Sequence, residues 1–461
     1  MEYDSVKEEM LSRIDTALKY AKSVDKNAEC EIYLLYINSC NVRIQDGVVT
    51  ADDGIKAGTA VRVAKGKKVS FAPSSGIELD SIKKSIQEAT AIVQKLSVED
   101  PRFDSFCPPS GAGKEGVFCS DILDVDSAYL IKAADNMISE AKSVDKRIKS
   151  VTASCSAGWT GFAVGNSTGL QQASRIAVNS CNVYCQARVG EERRQAGEYD
   201  ISRERIFQHE NLPTEAANKA LSFLGAKKLD KTEVMPTIWN NEASASYILA
   251  GLGQAVRGNN VVEGLSPLAD KIGDEIANPI LSIVDDGQDA TSIQTHAIDA
   301  EGHAKQKIPI LEKGVLKNYL FDHYYAKIFG AESTGSSSRG GAFSSTLPYE
   351  DTATVGLSTF NVKSGNKSEE ELLEEVDQGI YIYDSPMGIY HTSVETGEFS
   401  VVCPQVYLIE RGEKTPIQPV SVAGKFYEGL ENLRAIAKNI KKTPYAVNTP
   451  TIAFDGFSVV G

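Results

Sequence analysis

The chain has 461 residues, of which 42% are hydrophobic and 24% charged, and this ordinary composition excludes a wholly disordered protein. Its length predicts two or more domains, because single domains average roughly 100–200 residues. The formal net charge is −14. Nucleic acid and anionic membranes are bound through basic surfaces, so we expect neither as a partner.

The eight cysteines are typical of reduced thiols. No Cys-x-x-Cys pair occurs, and Cys181 and Cys185, four apart on a predicted strand, would lie ~13 Å apart, which is too far for a disulfide. The first residues are acidic, and no apolar run approaches the ~18 residues of a membrane span. These features predict a protein of the reducing cytosol.

The first half alternates helical and strand patterns. Apolar residues recur every three to four positions over 5–24 and 82–96, which predicts two amphipathic helices. Strand patterns lie between them, with a hairpin turn at Asp46-Gly47. Residues 100–120, rich in Pro, Gly and Ser, are predicted to form a linker.

The same order then restarts. The hexapeptide Ala-Lys-Ser-Val-Asp-Lys ends the first predicted helix at 21–26 and recurs at 141–146, at the end of a predicted helix over 127–142. Strand patterns follow in both cases, and a helix over 213–224 closes the half. We therefore predict an α+β domain over residues 1–230, with an antiparallel sheet built from two related helix-plus-meander units.

Short alternating runs dominate after Pro236 and predict a β-dominated domain over residues 231–461, barrel-like or with stacked sheets. The whole chain is therefore assigned to the α+β class. Helical patterns are confined to 242–256, 369–376 and 428–439. Strands are predicted at 281–284, 307–311, 315–320, 379–383, 399–409, 420–423 and 450–460.

Several stretches of the second half resemble the TldD/PmbA family, and they occur in the family's order. The first half adds weaker support at residues 57–63 and 68–72. The matching stretches are residues 264–274, 283–287, 298–302, 310–320, 333–335, 379–381, 396–400 and 449–452, followed by the final Gly461.

The resemblance implies a complex of two related subunits, a TldD type and a PmbA (TldE) type, that acts as a cytosolic metalloprotease on unfolded peptides. It implies that the TldD-type subunit holds zinc with a His-Glu-x-x-x-His helix and a cysteine near the C-terminus, and that the glutamate activates water. Imidazole and thiolate are ordinary zinc ligands, and three protein ligands leave a position for water.

The matching stretch here is residues 241–246, Asn-Glu-Ala-Ser-Ala-Ser. Glu242 matches the family glutamate, while Asn241 and Ser246 stand at the histidine positions and are poor zinc ligands. Residues 442–451 contain no cysteine. We therefore expect a PmbA/TldE-type subunit with no catalytic residue, cofactor or metal of its own. Glu242 is interpreted as an acidic residue of a helix first turn, with Asn240 or Asn241 as its N-cap.

Two alternatives stay open. The first is an autonomous or homodimeric metallohydrolase with unorthodox ligands from residues 285–303. His296 and His303 lie there together with four carboxylates, and Cys403 could approach them. These carboxylates can also be interpreted as turn caps that bind no metal. The second alternative is a non-enzymatic peptide-binding scaffold. The four carboxylates are those of Asp285, Asp286, Asp299 and Glu301.

The sequence thus leads to one main hypothesis. The chain pairs with a TldD-type catalytic subunit, which holds the zinc, and helps to enclose an unfolded peptide near it. Peptide would be recognised through its backbone, by strand addition to an exposed sheet edge. Whether the chain also forms a homodimer is left open.

Overall fold

The computed structural model describes residues 2–340 and 346–461. The first half consists of two successive α-β-β-β-α units joined by an extended linker with one 3₁₀ turn, Ser120–Asp124. The first unit comprises α1 (Glu2–Val24), β1 (Glu29–Gln45), β2 (Val48–Lys65), β3 (Lys68–Ser75) and α2 (Leu79–Lys95). The second comprises α3 (Ser127–Val144), β4 (Ile148–Asn166), β5 (Gln171–Val189), β6 (Glu192–Ser202) and α4 (Leu212–Ser222).

The six strands form one antiparallel sheet in the order β3-β2-β1-β4-β5-β6. The first strands of the two units, β1 and β4, pair along the middle of the sheet, where Asn38 lies opposite Trp159. The predicted antiparallel sheet is thereby confirmed. Asp46 and Gly47 both have positive φ, 51° and 82°, as a two-residue hairpin turn with the twist of its strands requires.

The helices cover one face of this sheet, since their apolar stripes face inward. Met10 and Ile14 of α1, Ile86 of α2 and Met137 of α3 are fully buried in one apolar core. Leucine, methionine and alanine at these spacings favour helix and lose little side-chain entropy there. The sequence pattern therefore located these helices to within a few residues.

The opposite face of the sheet contacts the second half of the chain. Tyr33 and Phe162 stack at 5.5 Å and share a buried cluster with Ile298 and Tyr349. The buried guanidinium of Arg203 donates hydrogen bonds to the carbonyl oxygens of Val117, Ser292 and Thr295 at 2.7–2.8 Å. These contacts fix how the first half sits against the second.

The second half is built from short strands and short helices. Its strands are β7 (Thr232–Trp239), β8 (Ile283–Asp286), β9 (Lys307–Glu312), β10 (Val315–Leu316), β11 (Ser337–Ser338), β12 (Thr354–Val355), β13 (Phe360–Val362), β14 (Gln378–Ile382), β15 (Glu398–Cys403), β16 (Val406–Glu410), β17 (Glu413–Ile417), β18 (Val420–Lys425), β19 (Leu433–Ile436), β20 (Val447–Asn448) and β21 (Ile452–Val460). Its helices are α5 (Asn241–Ala250), α6 (Leu252–Ala255), α7 (Gly258–Val262), α8 (His323–Phe329), α9 (Glu369–Glu374) and α10 (Phe426–Glu431), with a 3₁₀ turn at Ile389–His391.

These strands form mixed sheets, which agrees with the predicted α+β class and β-dominated second half. The larger sheet has the order β15-β18-β21-β7-β14-β16-β17, with β19 also paired to β21, and β7 runs parallel to β14. A five-stranded sheet has the order β10-β9-β8-β13-β20, and β11 pairs with β12 alone. The domain boundary near residue 230 stays a prediction.

Two predicted helices differ from the structure. The helix expected over 428–439 ends at Glu431, because Leu433 and Ala435 are buried while Arg434 is exposed, the alternation of a strand that pairs with β21. The helix expected over 242–256 is interrupted at Gly251. A Cβ there would lie 2.3 Å from the Phe426 ring, so only glycine allows this approach.

Candidate functional site

The start of α5 carries Asn241, Glu242 and Ser246, which are expected to correspond to the metal-binding helix of TldD-type subunits. Asn240 is the N-cap, since its side chain accepts a hydrogen bond from the backbone N–H of Ala243 at 2.9 Å. Farther along α5, Tyr247 is fully buried against Trp239 and donates its hydroxyl to the Phe426 carbonyl at 2.9 Å. The helix is therefore fixed in the core with Glu242 in its first turn.

Asn241 and Ser246 use their side chains in hydrogen bonds to the backbone. The Asn241 amide donates to the carbonyl oxygens of Asn439 and Thr449, at 2.6 and 2.7 Å. The fully buried Ser246 hydroxyl donates to the Ala243 carbonyl at 2.9 Å. Asn241 thereby binds a distant segment and Ser246 its own helix. Neither residue type is a good zinc ligand, so these two residues do not fit a zinc ion.

Glu242 has a charged partner from the C-terminal segment. Its carboxylate lies 3.3 Å from Lys441 Nζ and is 15% exposed, while the Lys441 ammonium lies 4.7 Å from the centre of the Tyr199 ring. Burial raises the pKa of Glu242 to about 7, and the nearby Asp384 adds to this effect, whereas Lys441 acts against it. Glu242 therefore titrates close to neutral pH.

A second ion pair lies beside the first. Lys219 of α4 pairs with Glu198 of β6, and both side chains are about nine-tenths buried. The Tyr383 hydroxyl donates to Glu198 at 3.3 Å, and the Lys219 ammonium lies 3.7 Å from the centre of the Tyr383 ring. Burial lowers the pKa of Lys219, and Glu198 opposes that shift. We call the following residues the Glu242 cluster: Glu198, Tyr199, Lys219, Glu242, Tyr383, Asp384 and Lys441.

Only Glu242 of this cluster was identified from the sequence. The other members come from β6, α4 and segments nearly two hundred residues farther along the chain, and none stands in a motif. Their proximity arises from packing of the two halves against each other. A run such as 438–442, with three lysines, is usually a solvated surface, so nothing local marked Lys441.

A polar face of the six-stranded sheet leads to the Glu242 cluster. Residues directly opposite each other on neighbouring strands share a face, and one such row runs across five strands. Several residues of the row line a cavity of about 200 Å³, and its last member, Tyr199, contacts Lys441. The row consists of Thr50, Arg43, Ser154, Asn182 and Tyr199.

The outer edge of β2 is open along half of its length. β3 pairs with β2 only between Gly58 and Lys65. Among the described residues no strand pairs with the outer edge of 48–56, all of which are exposed. Val48, Val49 and Ile55 are 66%, 49% and 57% exposed. We call residues 48–56 the β2 edge, and an edge of this kind is a template for a further strand.

Acidic side chains of the 285–303 region accept hydrogen bonds from backbone N–H groups. Both oxygens of Asp285 accept hydrogen bonds from the backbone N–H groups of Ser358 and Thr359, at 2.7–3.1 Å. The two oxygens of Asp299 accept from three backbone N–H groups, those of Glu301, His303 and Ser337, at 2.9–3.0 Å. This arrangement is that of turn-capping carboxylates.

Glu301 and Asp286 form ion pairs as well. Glu301 Oε1 lies 2.9 Å from an Arg62 nitrogen, and its other oxygen accepts from the His323 N–H at 2.9 Å. Asp286 pairs with Lys307 at 2.8 Å. Within the described ranges, no group of three or more His, Cys, Asp and Glu side chains is arranged to hold a metal ion.

His296, His303 and Cys403, the other ligands considered for a metal site in the 285–303 region, lie in three different surroundings. His296 packs edge-on against Phe162, and burial lowers its pKa to about 3. His303 Nδ1 lies 3.0 Å from the Ala304 carbonyl oxygen. Cys403 is fully buried on β15 opposite Val420, and burial raises the pKa of its thiol.

Sequence models of the PmbA/TldA metallopeptidase family match three segments of the chain. Its domain 1 matches residues 30–93, its central domain 120–224 and its C-terminal domain 232–461. Within the described residues, every helix is too short or too polar to cross a membrane.

Known proteins of this family are similar to the chain in sequence and in fold. The chain is 26% identical to a metalloprotease PmbA homolog from Haemophilus influenzae, over 98% of this chain and 96% of that protein. It is 30% identical to a metalloprotease from Methanocaldococcus jannaschii, over 50% of this chain and 49% of that protein. The fold is similar to that of TldE from Thermococcus kodakarensis, with a TM-score of 0.87 at 22% identity, covering 97% of this chain and 100% of that chain. The chain belongs to the PmbA/TldD metallopeptidase family.

Proposed function

We propose that this chain is the PmbA/TldE-type subunit of a two-subunit metalloprotease and that it carries no catalytic metal itself. The observation that carries the proposal is the start of α5. Glu242 is present there, but Asn241 and Ser246 replace the two histidines and use their polar atoms on backbone carbonyls. The third ligand type is also missing, since residues 442–451 contain no cysteine.

The chain would contribute a wall of the peptide cleft. A polar sheet face made of Thr, Arg, Ser, Asn and Tyr side chains offers hydrogen bonds to the backbone of an extended peptide. The β2 edge offers unpaired backbone groups for strand addition. Together they support binding of unfolded segments, which present a free backbone, over folded proteins, whose backbone is already paired.

A TldD-type subunit would supply the zinc and the water-activating glutamate. All eight cysteines, each within the described residues, are free thiols, which supports the proposal that the pair works in the reducing cytosol. Neither a nucleic acid nor a membrane has a role in this proposal, in keeping with the net charge of −14.

Metal content and proteolysis of the separate and combined chains test the proposal. This chain is purified alone, its TldD-type relative alone, and the two after co-expression, and each sample is assayed for zinc and for cleavage of an unfolded protein. We expect no zinc in this chain alone, about one zinc per pair, and full, selective cleavage only by the pair.

Reciprocal glutamate variants provide the control. Replacing the glutamate of the partner's His-Glu-x-x-x-His helix by glutamine removes the base and should abolish cleavage by the pair. Glu242→Gln in this chain should leave cleavage within about twofold, since Asn241 and Ser246 beside it are poor zinc ligands and use their polar atoms on backbone carbonyls. Stoichiometric zinc in this chain alone, or a partner that cleaves as fast and as selectively without it, would contradict the proposal.

A further inference from the structure

Lys441 enters the Glu242 cluster from the same C-terminal region in which TldD-type subunits carry their cysteine ligand. Its ammonium lies 3.3 Å from the Glu242 carboxylate and over the face of the Tyr199 ring. Both interactions favour a positive charge at this point, one by charge attraction and one through the negative face of the ring.

The backbone around Lys441 is attached to the start of α5. The Lys441 N–H donates to the Thr449 carbonyl at 3.3 Å, and the same carbonyl accepts the Asn241 amide at 2.7 Å. Asn241 also donates to the Asn439 carbonyl at 2.6 Å. The residue at the first histidine position therefore anchors the segment that carries the lysine.

Two further carboxylates lie near Glu242. Glu198 on β6 and Asp384 after β14 are both close enough to disfavour ionisation of Glu242. Lys219 on α4 is already paired with Glu198. The neutral tyrosines 184, 199, 383 and 445 also face Glu242. Lys441 is thus the cation that the structure places directly on Glu242.

We propose that Lys441 is a tethered cation, which supplies from within the chain the positive charge that zinc supplies beside the family glutamate in TldD-type subunits. This inference rests on the proposed function, because it explains how the glutamate is kept in a subunit without zinc ligands. Lys441 is a positioning residue: it lies 3.3 Å from the Glu242 carboxylate and favours its ionised form over its protonated form.

The test is the pH dependence of thermal unfolding in Lys441→Met. Without Lys441, the pKa of Glu242 in the folded state rises further above that of the unfolded glutamate, so the variant keeps losing stability above about pH 7, where Glu242 of the wild type ionises. We expect the loss of Tm relative to the wild type to be at least about twice as large at about pH 8.5 as at about pH 5.

Three further variants separate this role from simple packing. Lys442→Met is the matched control, because Lys442 is the next residue, is 40% exposed against 42% for Lys441, and also pairs with a carboxylate, that of Glu204. It should show no such pH dependence. Lys441→Arg keeps the charge and should restore the wild-type profile, and Lys441→Met combined with Glu242→Gln should remove the pH-dependent part of the loss.

Ethylammonium chloride tests the idea of a replaceable cation directly. It should raise the Tm of Lys441→Met at alkaline pH more than sodium chloride at equal ionic strength, and it should not act on Lys442→Met. A loss of Tm that is independent of pH, or equal in the two lysine variants, would overturn the inference. Such a result leaves the proposed function standing, since that depends on zinc content and cleavage by the pair.

Discussion

At the scale of single residues, Arg62 joins the two halves of the molecule. Its guanidinium forms a two-pronged contact with Glu31, at 2.8 and 2.9 Å, and reaches Glu301 in the second half at 2.9 Å. The three side chains are only 14%, 1% and 4% exposed. A planar fork with several fixed donors suits this geometry, which a lysine could not reproduce.

Removing Arg62 should destabilise the protein strongly. Arg62→Met leaves the buried Glu301 carboxylate without a counter-charge and leaves Glu31 with Arg339 alone, at 3.5 Å; we therefore expect a loss of about 3–5 kcal/mol in the free energy of unfolding, measured with urea. Arg147→Met is the control, because Arg147 pairs with Asp145 at the surface, where it is 45% exposed; the loss there should stay below about 1 kcal/mol. Equal losses in the two variants would show that the buried ion pairs of Arg62 stabilise the protein no more than an exposed ion pair does.

At the scale of secondary-structure elements, the residue pattern predicts the long helices and strands well. It does not predict which residues far apart in the chain come into contact. The helices of the first half were predicted because apolar residues recur at helical spacing. The region 433–436 was predicted as helix, yet pairing with β21 made it a strand. The motif at 241–246 is local and could be identified, whereas Glu198, Asp384 and Lys441 reach Glu242 only through folding.

The β2 edge is the element on which peptide binding can be tested. Val49→Lys combined with Ile55→Lys places charges on an exposed edge, which opposes addition of a further strand. Because both residues are about half exposed, folding should be unaffected. We expect the Kd of the subunit pair for an unfolded peptide, measured by fluorescence anisotropy, to rise about tenfold.

Val98→Lys supplies a control for the effect of added charge, to be compared with Val49→Lys and Ile55→Lys as single variants. Val98 is 74% exposed and lies outside any helix or strand, so one added charge there should leave the Kd unchanged. If the edge variant also binds peptide with unchanged affinity, peptide does not pair with β2 and the polar sheet face becomes the remaining candidate.

At the scale of the whole molecule, the two halves share an apolar interface that neither can cover alone. Tyr33 and Phe162 in the first half are buried together with Ile298 and Tyr349 in the second. Separation would expose these side chains and would leave the buried Arg203 without its carbonyl partners in 292–295. Each half has its own larger core, however.

Fragments divided at the predicted boundary should therefore associate. Residues 1–230 and 231–461, produced separately, should each retain secondary structure by circular dichroism and should bind a dye for exposed apolar surface. After co-expression they should co-purify as a one-to-one complex that no longer binds the dye. Failure to form this complex would mean that the halves need a continuous chain to fold.

The central pairing of β1 with β4 also bears on how the chain is synthesised. Residues 31–45 of β1 pair with residues 152–166 of β4, so even the first partner residue is made about 120 residues after the start of this pairing segment. At a rate of about 5–20 residues per second, this interval is roughly 6–24 s. During that time β1 lacks its β4 partner, so the nascent chain carries a strand with one unpaired edge between Ile32 and Ile44. We expect chaperones that bind apolar segments to act on β1 during this interval. Slower translation of the codons between β1 and β4 would lengthen the interval.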